Sequence, residues 1–218
     1  MPARPPDPAH HPYVPLHHPY GARFHARVGT AALRRELLRG ASGRVIEIGA
    51  GNGPDFAHYP RTVSEVVVVE PERGPRRLAA AAALRAEVPV DLVPGVAEAL
   101  PVKSEAFDVA VASLALCSVR DLPRALAELY RVLRPGAELR FLEHGLAPGP
   151  GTAAVQRALD RTVWPRLFGG CHTARDPLAS IEAAGFRIVA QRAFRVPVRG
   201  PALPDSYRVI GTARRSPD

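Results

Sequence analysis

Residues 44–53, RVIEIGAGNG, hold the densest chemistry in the chain: Glu47 inside an apolar run, then Gly49, Gly51 and Gly53 at alternate positions. A second apolar run, Val66 to Val69, ends on a single acid, Glu70. Glycines in a turn after a strand admit positive φ and leave no Cβ between the backbone and a ligand. An acid at the tip of the next strand can accept hydrogen bonds from two ribose hydroxyls. Together these features describe a nucleoside pocket. Spacing argues against its commoner forms. A dinucleotide site wants Gly-x-Gly-x-x-Gly, but here the third glycine falls one position early and Pro54 follows it. No Gly-Lys-Ser/Thr is present for a phosphate loop, and Lys103, the only lysine, has no tyrosine nearby for hydride chemistry.

The elements that must carry these residues are legible as alternating strand and helix signals. Apolar runs predict strands at 44–48, 66–70, 90–93, 107–112 and 137–143, and helical patterns predict helices at 20–39, 54–59, 74–87 and 121–133. Asp121 is the expected N-cap of the last of these, with Pro123 in its first turn. Arg134-Pro135-Gly136 is its expected stop. Alternating βα units of this length imply a parallel sheet covered by helices, which binds ligands beyond the carboxyl ends of its strands. After residue 143 the pattern changes. Helices are expected near 152–164 and 175–184, then strands at 186–194 and 206–213. Those two strands have no crossover helix between them and should pair antiparallel.

Bulk properties narrow the class. The chain has 218 residues, 46% apolar and 23% charged, which suits one soluble domain, read here as 20–214. A Pro- and His-rich segment, 1–19, precedes it as a disordered or lid-associated region, and 215–218 is a tail. The net charge of +8 is almost entirely arginine, scattered in pairs such as Arg34-Arg35 and Arg76-Arg77. No nucleic-acid partner is expected, although the charge favours anionic substrates or membrane surfaces in general. Histidines 10, 11, 17 and 18 are interrupted by prolines, and Cys117 and Cys171 have no metal-ligand spacing, so no metal is expected. No apolar run approaches the roughly 18 residues of a membrane span, and no signal-peptide core is visible. The expected location is the cytoplasm, with peripheral membrane contact left open and the oligomeric state not legible.

The motif set resembles the class I S-adenosylmethionine-dependent methyltransferases, in particular the type-11 group. The resemblance rests on the acid–glycine turn–acid arrangement, on Gly95-Val96-Ala97-Glu98-Ala99-Leu100-Pro101, and on FDVAVASLALCSV followed by RVLRPGAELRFLEH. It implies a doubly wound, seven-stranded, mostly parallel α/β sheet of Rossmann-like type with an antiparallel last strand, and S-adenosyl-L-methionine as cofactor. In that resemblance Glu47 lies near the methionine ammonium. Gly49, Ala50, Gly51, Asn52 and Gly53 wrap the methionine and ribose by backbone. Glu70, followed by Pro71, takes the ribose hydroxyls. Val96 and Ala97 sit beside the adenine, with Val96 where an aspartate often binds the adenine amine. Ser113 and Leu114 line the donor methyl.

The second half, with LCSVRDLPRALAELYRVLRPG, FLEHG, VQRALDRTVWPRLFGGCHTARD and IEAAGF, is similar to a subgroup that includes thiol S-methyltransferases. It is similar, less closely, to phosphatidylethanolamine N-methyltransferases and quinone-pathway C-methyltransferases. The implied reaction is methyl transfer to a small molecule: a thiol, or a lipid-like, amine or phenol acceptor. His144, after the fifth strand, and His172, in the Gly-Gly-Cys-His loop, are the candidate bases. Leu116, Cys117, Trp164 and Cys171 are candidates for the acceptor pocket. Leu116-Cys117-Ser118 stands where many type-11 enzymes carry histidines. Phe24 and His25 replace a Tyr-Asp pair in the expected lid. An RNA or protein methyltransferase is the alternative, disfavoured because no Asn/Asp-Pro-Pro-Tyr clamp or Pro-Cys nucleophile occurs. A cofactor-binding member without catalysis is the other alternative.

Overall fold

The computed structural model describes residues 30–196 and 203–217; Phe24, His25 and the histidines at 10, 11, 17 and 18 lie outside them. Seven strands form one sheet: β1 (Gly43–Ile48), β2 (Val63–Val69), β3 (Val90–Val93), β4 (Phe107–Ser113), β5 (Leu133–His144), β6 (Arg187–Arg195) and β7 (Tyr207–Arg214). Their order is β3-β2-β1-β4-β5-β7-β6. The first five pair in parallel, and β7 runs antiparallel to both β5 and β6. The expected reversal at the last strand is therefore observed. Sheet order and crossovers place the ends of β1, β2, β4 and β5 along one edge.

Continuous apolar runs suit strands covered on both faces. Val66 and Val68 pack with Val45, Phe56 and the helix residues Leu37, Leu38 and Ala79. Val67 and Val69 pack on the opposite face with Ile46, Ile48, Leu126, Leu129 and Ile181. The covering helices are α1 (Thr30–Leu38), α2 (Arg73–Ala83), α3 (Leu122–Val132), α4 (Pro150–Asp160), the single turn α5 (Trp164–Leu167) and α6 (Pro177–Ala183). Asp121 caps α3 as expected, its side chain accepting from the Arg124 amide. That bond satisfies one of the free amides of the first turn. Arg140 on β5 reaches across the sheet to the Leu37 and Arg39 carbonyls at the end of α1, where a cation complements the helix dipole.

Three expected elements differ. The 54–59 helix is a single 3-10 turn at Phe56–His58, because the turn must bring the chain back to β2 within five residues. The 152–164 helix divides into α4 and α5, with Pro165 in the first turn of α5, the place where proline's missing N–H costs least. β5 begins at Leu133, before the Arg-Pro-Gly stop: Leu133 pairs with Phe107, and the register shifts before Glu138 pairs with Val109. Gly136, at φ 76°, lies in that bulge, a place where strands tolerate proline and glycine.

The C-terminal half is tied to the sheet edge by one fully buried side chain. Gln156 of α4 accepts from the Ala147 amide at 2.7 Å. Its amide nitrogen donates to the carbonyls of Gly145, Thr173 and Pro204. Gln156→Leu keeps the volume but leaves these groups without a partner, so unfolding in urea should require about 2–4 kcal/mol less free energy. An unchanged midpoint would show that water takes over all four bonds.

Candidate functional site

The carboxyl edge of β1 and β2 assembles the acids and glycines. Gly49, Gly51 and Gly53 all have positive φ, at 71°, 53° and 75°. Each has a different neighbourhood. A Cβ at Gly53 would strike Phe56 and Ala82 at 2.7–2.8 Å, and one at Gly49 would stand 2.9 Å from the Ala115 Cβ. One at Gly51 would meet nothing within 4 Å. The turn is thus packed underneath and open above, which is the shape of a cradle for a ligand that approaches backbone. Ala50 is buried within it, and Asn52 is exposed at its apex.

Glu70 follows β2 and is buried. Its carboxylate accepts from the amides of Gly51 at 3.3 Å and Glu72 at 3.0 Å, so the acid and the glycine turn are joined directly. Burial raises its pKa, and each oxygen keeps accepting capacity for a hydroxyl. Glu47 is also buried and accepts from the Tyr59 hydroxyl at 2.7 Å. Burial, then the nearby Asp55 charge, push the Glu47 carboxyl well above the usual range, with Glu70 adding to the effect. Arg34 pulls the other way but is engaged by Asp55. A desolvated acid of this kind gains most from an incoming cation.

On the adjacent loop, Gly95 lies against Val69, which brings Val96 and Ala97 to the edge beside Glu70. Glu128 accepts the Leu100 amide, and Glu98 accepts those of Arg120 and Asp121, so the loop is fastened to α3. Val96 is exposed and Pro71 is exposed behind Glu70. β4 ends at Ser113, whose hydroxyl accepts from Arg34 at 3.4 Å. Leu114 then adopts φ 56°, a conformation costing roughly 1–2 kcal/mol in a non-glycine residue. It turns the chain so that Ala115, Leu116 and Cys117 all point their amides at Glu143 of β5, with distances of 2.8–3.2 Å. Burial raises the Glu143 pKa against the opposing effect of these bonds.

The acceptor-side candidates converge at this point. The His172 amide donates to the Cys117 carbonyl at 2.8 Å, docking the Gly-Gly-Cys-His loop on the loop after β4. Arg175 donates to the Leu116 and Val119 carbonyls from the other side. Cys171 Sγ lies 3.3 Å from His144 Nδ1, and His144 Nε2 is buried with no partner among the described residues. Cys117, His144 and Cys171 are all buried, and their ligating atoms lie within 4.8 Å of one another. Contact with Cys171, then burial, push the Cys117 thiol well above its ordinary range. His172 is half-buried and pairs through Nδ1 with Asp160 at 2.9 Å; Asp160 also accepts the Thr173 amide. Trp164 stacks on Phe168 with ring centroids 4.0 Å apart. Leu167 and Phe168 are exposed, so this ridge is a surface wall and not core.

Similarity to known proteins agrees with this geometry. A profile of the methyltransferase domain, type 11, matches residues 46–141. The chain is 33% identical over 181 residues to the thiol S-methyltransferase TMT1B of Mus musculus, covering 81% of this chain and 73% of that protein. It is 32% identical over 173 residues to the ubiquinone/menaquinone biosynthesis C-methyltransferase UbiE of Syntrophotalea carbinolica, covering 78% and 68%. The chain belongs to the S-adenosylmethionine-dependent methyltransferases. Its cofactor is S-adenosylmethionine, and its fold is the class I Rossmann-like one. A methyltransferase structure from Mesorhizobium loti superposes with a TM-score of 0.64 at 23% identity, over 86% of this chain and 97% of that one. The open face above Gly51 and the paired acceptor oxygens of Glu70 fit the cofactor's backbone-approaching methionine and its ribose.

Glu143, Tyr59, Asp160 and Gln156 escaped the sequence reading. Only Glu143 had a local signal, its place beside His144 at the end of a strand. Glu143→Ala frees three amides of this methyltransferase, two of them buried, so hydrogen exchange at 115–117 should accelerate by about 10-fold or more while the β1–β2 amides keep their protection. Equal acceleration across the sheet would mean that Glu143 supports the whole core and not this loop.

Proposed function

We propose that the enzyme transfers the methyl group of S-adenosylmethionine to the sulfur of a small, partly apolar thiol. The observation that carries this reading is Glu143. By holding the loop 115–117, it sets Ala115 against the cofactor turn at Gly49 and Cys117 against His144 and Cys171. Donor and acceptor sides therefore share one short segment. A thiol as acceptor is supported by this soft, buried, sulfur- and imidazole-lined surface and by the name of the mouse relative.

In this reading Glu70 binds the ribose hydroxyls and Glu47 faces the methionine ammonium. The glycine turn lies along the methionine and ribose, Val96 and Ala97 flank the adenine, and Ser113 and Leu114 border the methyl. Methyl transfer is an in-line displacement, so these residues act mainly by holding the acceptor atom and the methyl about 3–3.5 Å apart and by excluding water. His144 is assigned a direct contact at the acceptor, and His172, oriented by Asp160, is assigned a positioning role for the loop carrying Cys171. Leu116 and Trp164 supply apolar wall.

Purified enzyme incubated with S-adenosylmethionine and a panel of alkyl thiols, quinols, phenols and amines should methylate thiols, read by mass spectrometry of the products. Transfer to a quinol or amine with none to any thiol would overturn the thiol assignment. The cofactor side has its own pH signature. Glu47's pKa is raised in the free protein, and the donor's ammonium favours its ionised form. Cofactor binding therefore releases a proton, and affinity should fall by up to about 10-fold per pH unit as pH drops below the free-protein value. Calorimetry with S-adenosylhomocysteine should show that slope. Glu47→Gln should flatten it and weaken binding by about 10–100-fold at neutral pH.

A further inference from the structure

Two thiols and one imidazole, drawn from three separate segments, meet in the interior with little hydrogen bonding to hold them. Thiols are weak donors and acceptors. Among the described residues the Cys117 sulfur meets the Leu114 carbonyl at 3.5 Å and the Ser118 hydroxyl at 3.6 Å besides its partners in the cluster. His144 Nδ1 faces the Cys171 sulfur at 3.3 Å. As three neutral side chains the cluster is held together by weak sulfur contacts.

A thiophilic cation between the two sulfurs and Nδ1 would bind the three side chains far more strongly. Zinc holds sulfur at about 2.3 Å and imidazole nitrogen at about 2.0–2.1 Å in a tetrahedron, which sets ligand atoms roughly 3.5–3.8 Å apart. The three ligating atoms here already lie within 4.8 Å of one another, with His144 Nδ1 and Cys171 Sγ at 3.3 Å. Closing on an ion thus needs only small rotations. Two thiolates and one neutral imidazole suit zinc or copper and not the oxygen-seeking magnesium or calcium. Arg175 and Arg208 both interact electrostatically with Cys117 and Cys171, so a further negative ligand would be offset. Three protein ligands with a fourth position open is the pattern of catalytic zinc. This cluster sits on the same loop that packs Ala115 against the cofactor turn.

We propose that Cys117, His144 and Cys171 bind one zinc ion, whose open fourth position receives the acceptor thiol. The second half rests on the thiol-methylation reading above. On coordination the acceptor R–SH gives its proton to solvent. The thiolate's lone pair then forms the new S–CH3 bond as the sulfonium C–S bond breaks, and that bond's electron pair stays on the cofactor sulfur. Both products are neutral thioethers, weaker zinc ligands than the thiolate, and the product leaves.

The chain has only two cysteines, which makes the test direct. Full-length enzyme loaded with zinc and desalted should retain about one ion per chain by elemental analysis. Both thiols are buried, so in metal-free protein they should react with Ellman's reagent only through local opening, and zinc should slow that reaction at least about 10-fold while chelator restores it. Cobalt in place of zinc should give a thiolate-to-metal charge-transfer band, a signature the histidines at 10, 11, 17 and 18 cannot produce. Cys117→Ser and Cys171→Ser should each weaken that band or remove it. The thiol protection in unaltered protein keeps the test valid if a variant does not fold. Retention of less than a tenth of an equivalent, or a thiol reaction that zinc does not slow, would overturn the metal site. With the ion bound, its removal should reduce thiol methylation at least 10-fold while leaving S-adenosylhomocysteine affinity unchanged; unchanged turnover would overturn the open-position role. An intact charge-transfer band with no S-adenosylhomocysteine binding would support the metal site and sink the methyl-transfer reading instead.

Discussion

The carboxylate of Glu143 is the constraint on which the site depends. A carboxylate at the end of a buried strand is costly unless its lone pairs are used, and here three consecutive amides use them. The reciprocal benefit is a loop whose path is dictated by one point. Residues 114–117 cannot drift from β5 without abandoning a buried charge, so the left-handed turn at Leu114 is held in place despite its cost. Cys117 and the segments packed on it inherit their position from this contact, while His144 is placed by β5 itself. Cys117 is fixed by its own amide, the Cys171 loop is docked on the Cys117 carbonyl, and Arg175 closes the far side through two more carbonyls.

The tips of β1 and β2 are built on the opposite principle. Glu47, Asp55 and Glu70 crowd the tips of β1 and β2, and burial raises the pKa of Glu47 and Glu70. Arg34 sits beside Glu47 but is engaged by Asp55, and Arg76 lies beside Glu70, donating to its main-chain carbonyl. Glu143 accepts from three neutral amides and holds its loop in place. Glu47 is desolvated with a single phenol as donor and is left short of positive charge. The same residue type at neighbouring strand ends thus takes two roles, and its hydrogen-bond partners decide which.

Much of this was legible in the sequence. Gly49, Gly51, Gly53, Glu47 and Glu70 were readable because strand periodicity and glycine chemistry are local, and a cofactor that binds backbone leaves a local signature. The sheet itself followed from runs such as Val66–Val69, which only a strand covered on both faces explains. The element ends were less legible. β5 starts before its Arg-Pro-Gly break because pairing with Phe107 outweighs the proline, and that pairing is tertiary. The meeting of Cys117, His144 and Cys171 was hidden for the same reason. The expectation of no metal rested on spacing along the chain, whereas these three residues are brought together by strand order, by Glu143 and by a single amide–carbonyl bond across two loops. Gln156 and Asp160 look like ordinary polar helix residues until the segments they join are seen side by side.

In the proposed thiol methylation, the two halves of the site would complement each other through charge. A sulfonium donor and a thiolate acceptor are ions of opposite sign, and methyl transfer between them converts both into neutral thioethers. Water stabilises the separated ions and so opposes the reaction; a desolvated, weakly polar enclosure favours the neutral products and the charge-dispersed transition state. The difficulty is bringing the ions into such an enclosure. In the proposed site, buried carboxylates on the donor side would offset the cation's loss of hydration. On the acceptor side, a thiolate would need a positive counterpart that does not compete for the methyl, which the proposed thiophilic ion at Cys117, His144 and Cys171 would provide beside the neighbouring arginines. The ammonium of the cofactor survives the reaction but the sulfonium charge does not. After transfer, acids placed as proposed would keep hold of one end of S-adenosylhomocysteine while the attraction at its sulfur disappears. The step that forms the new bond thereby weakens the grip on both products at the place where they touch.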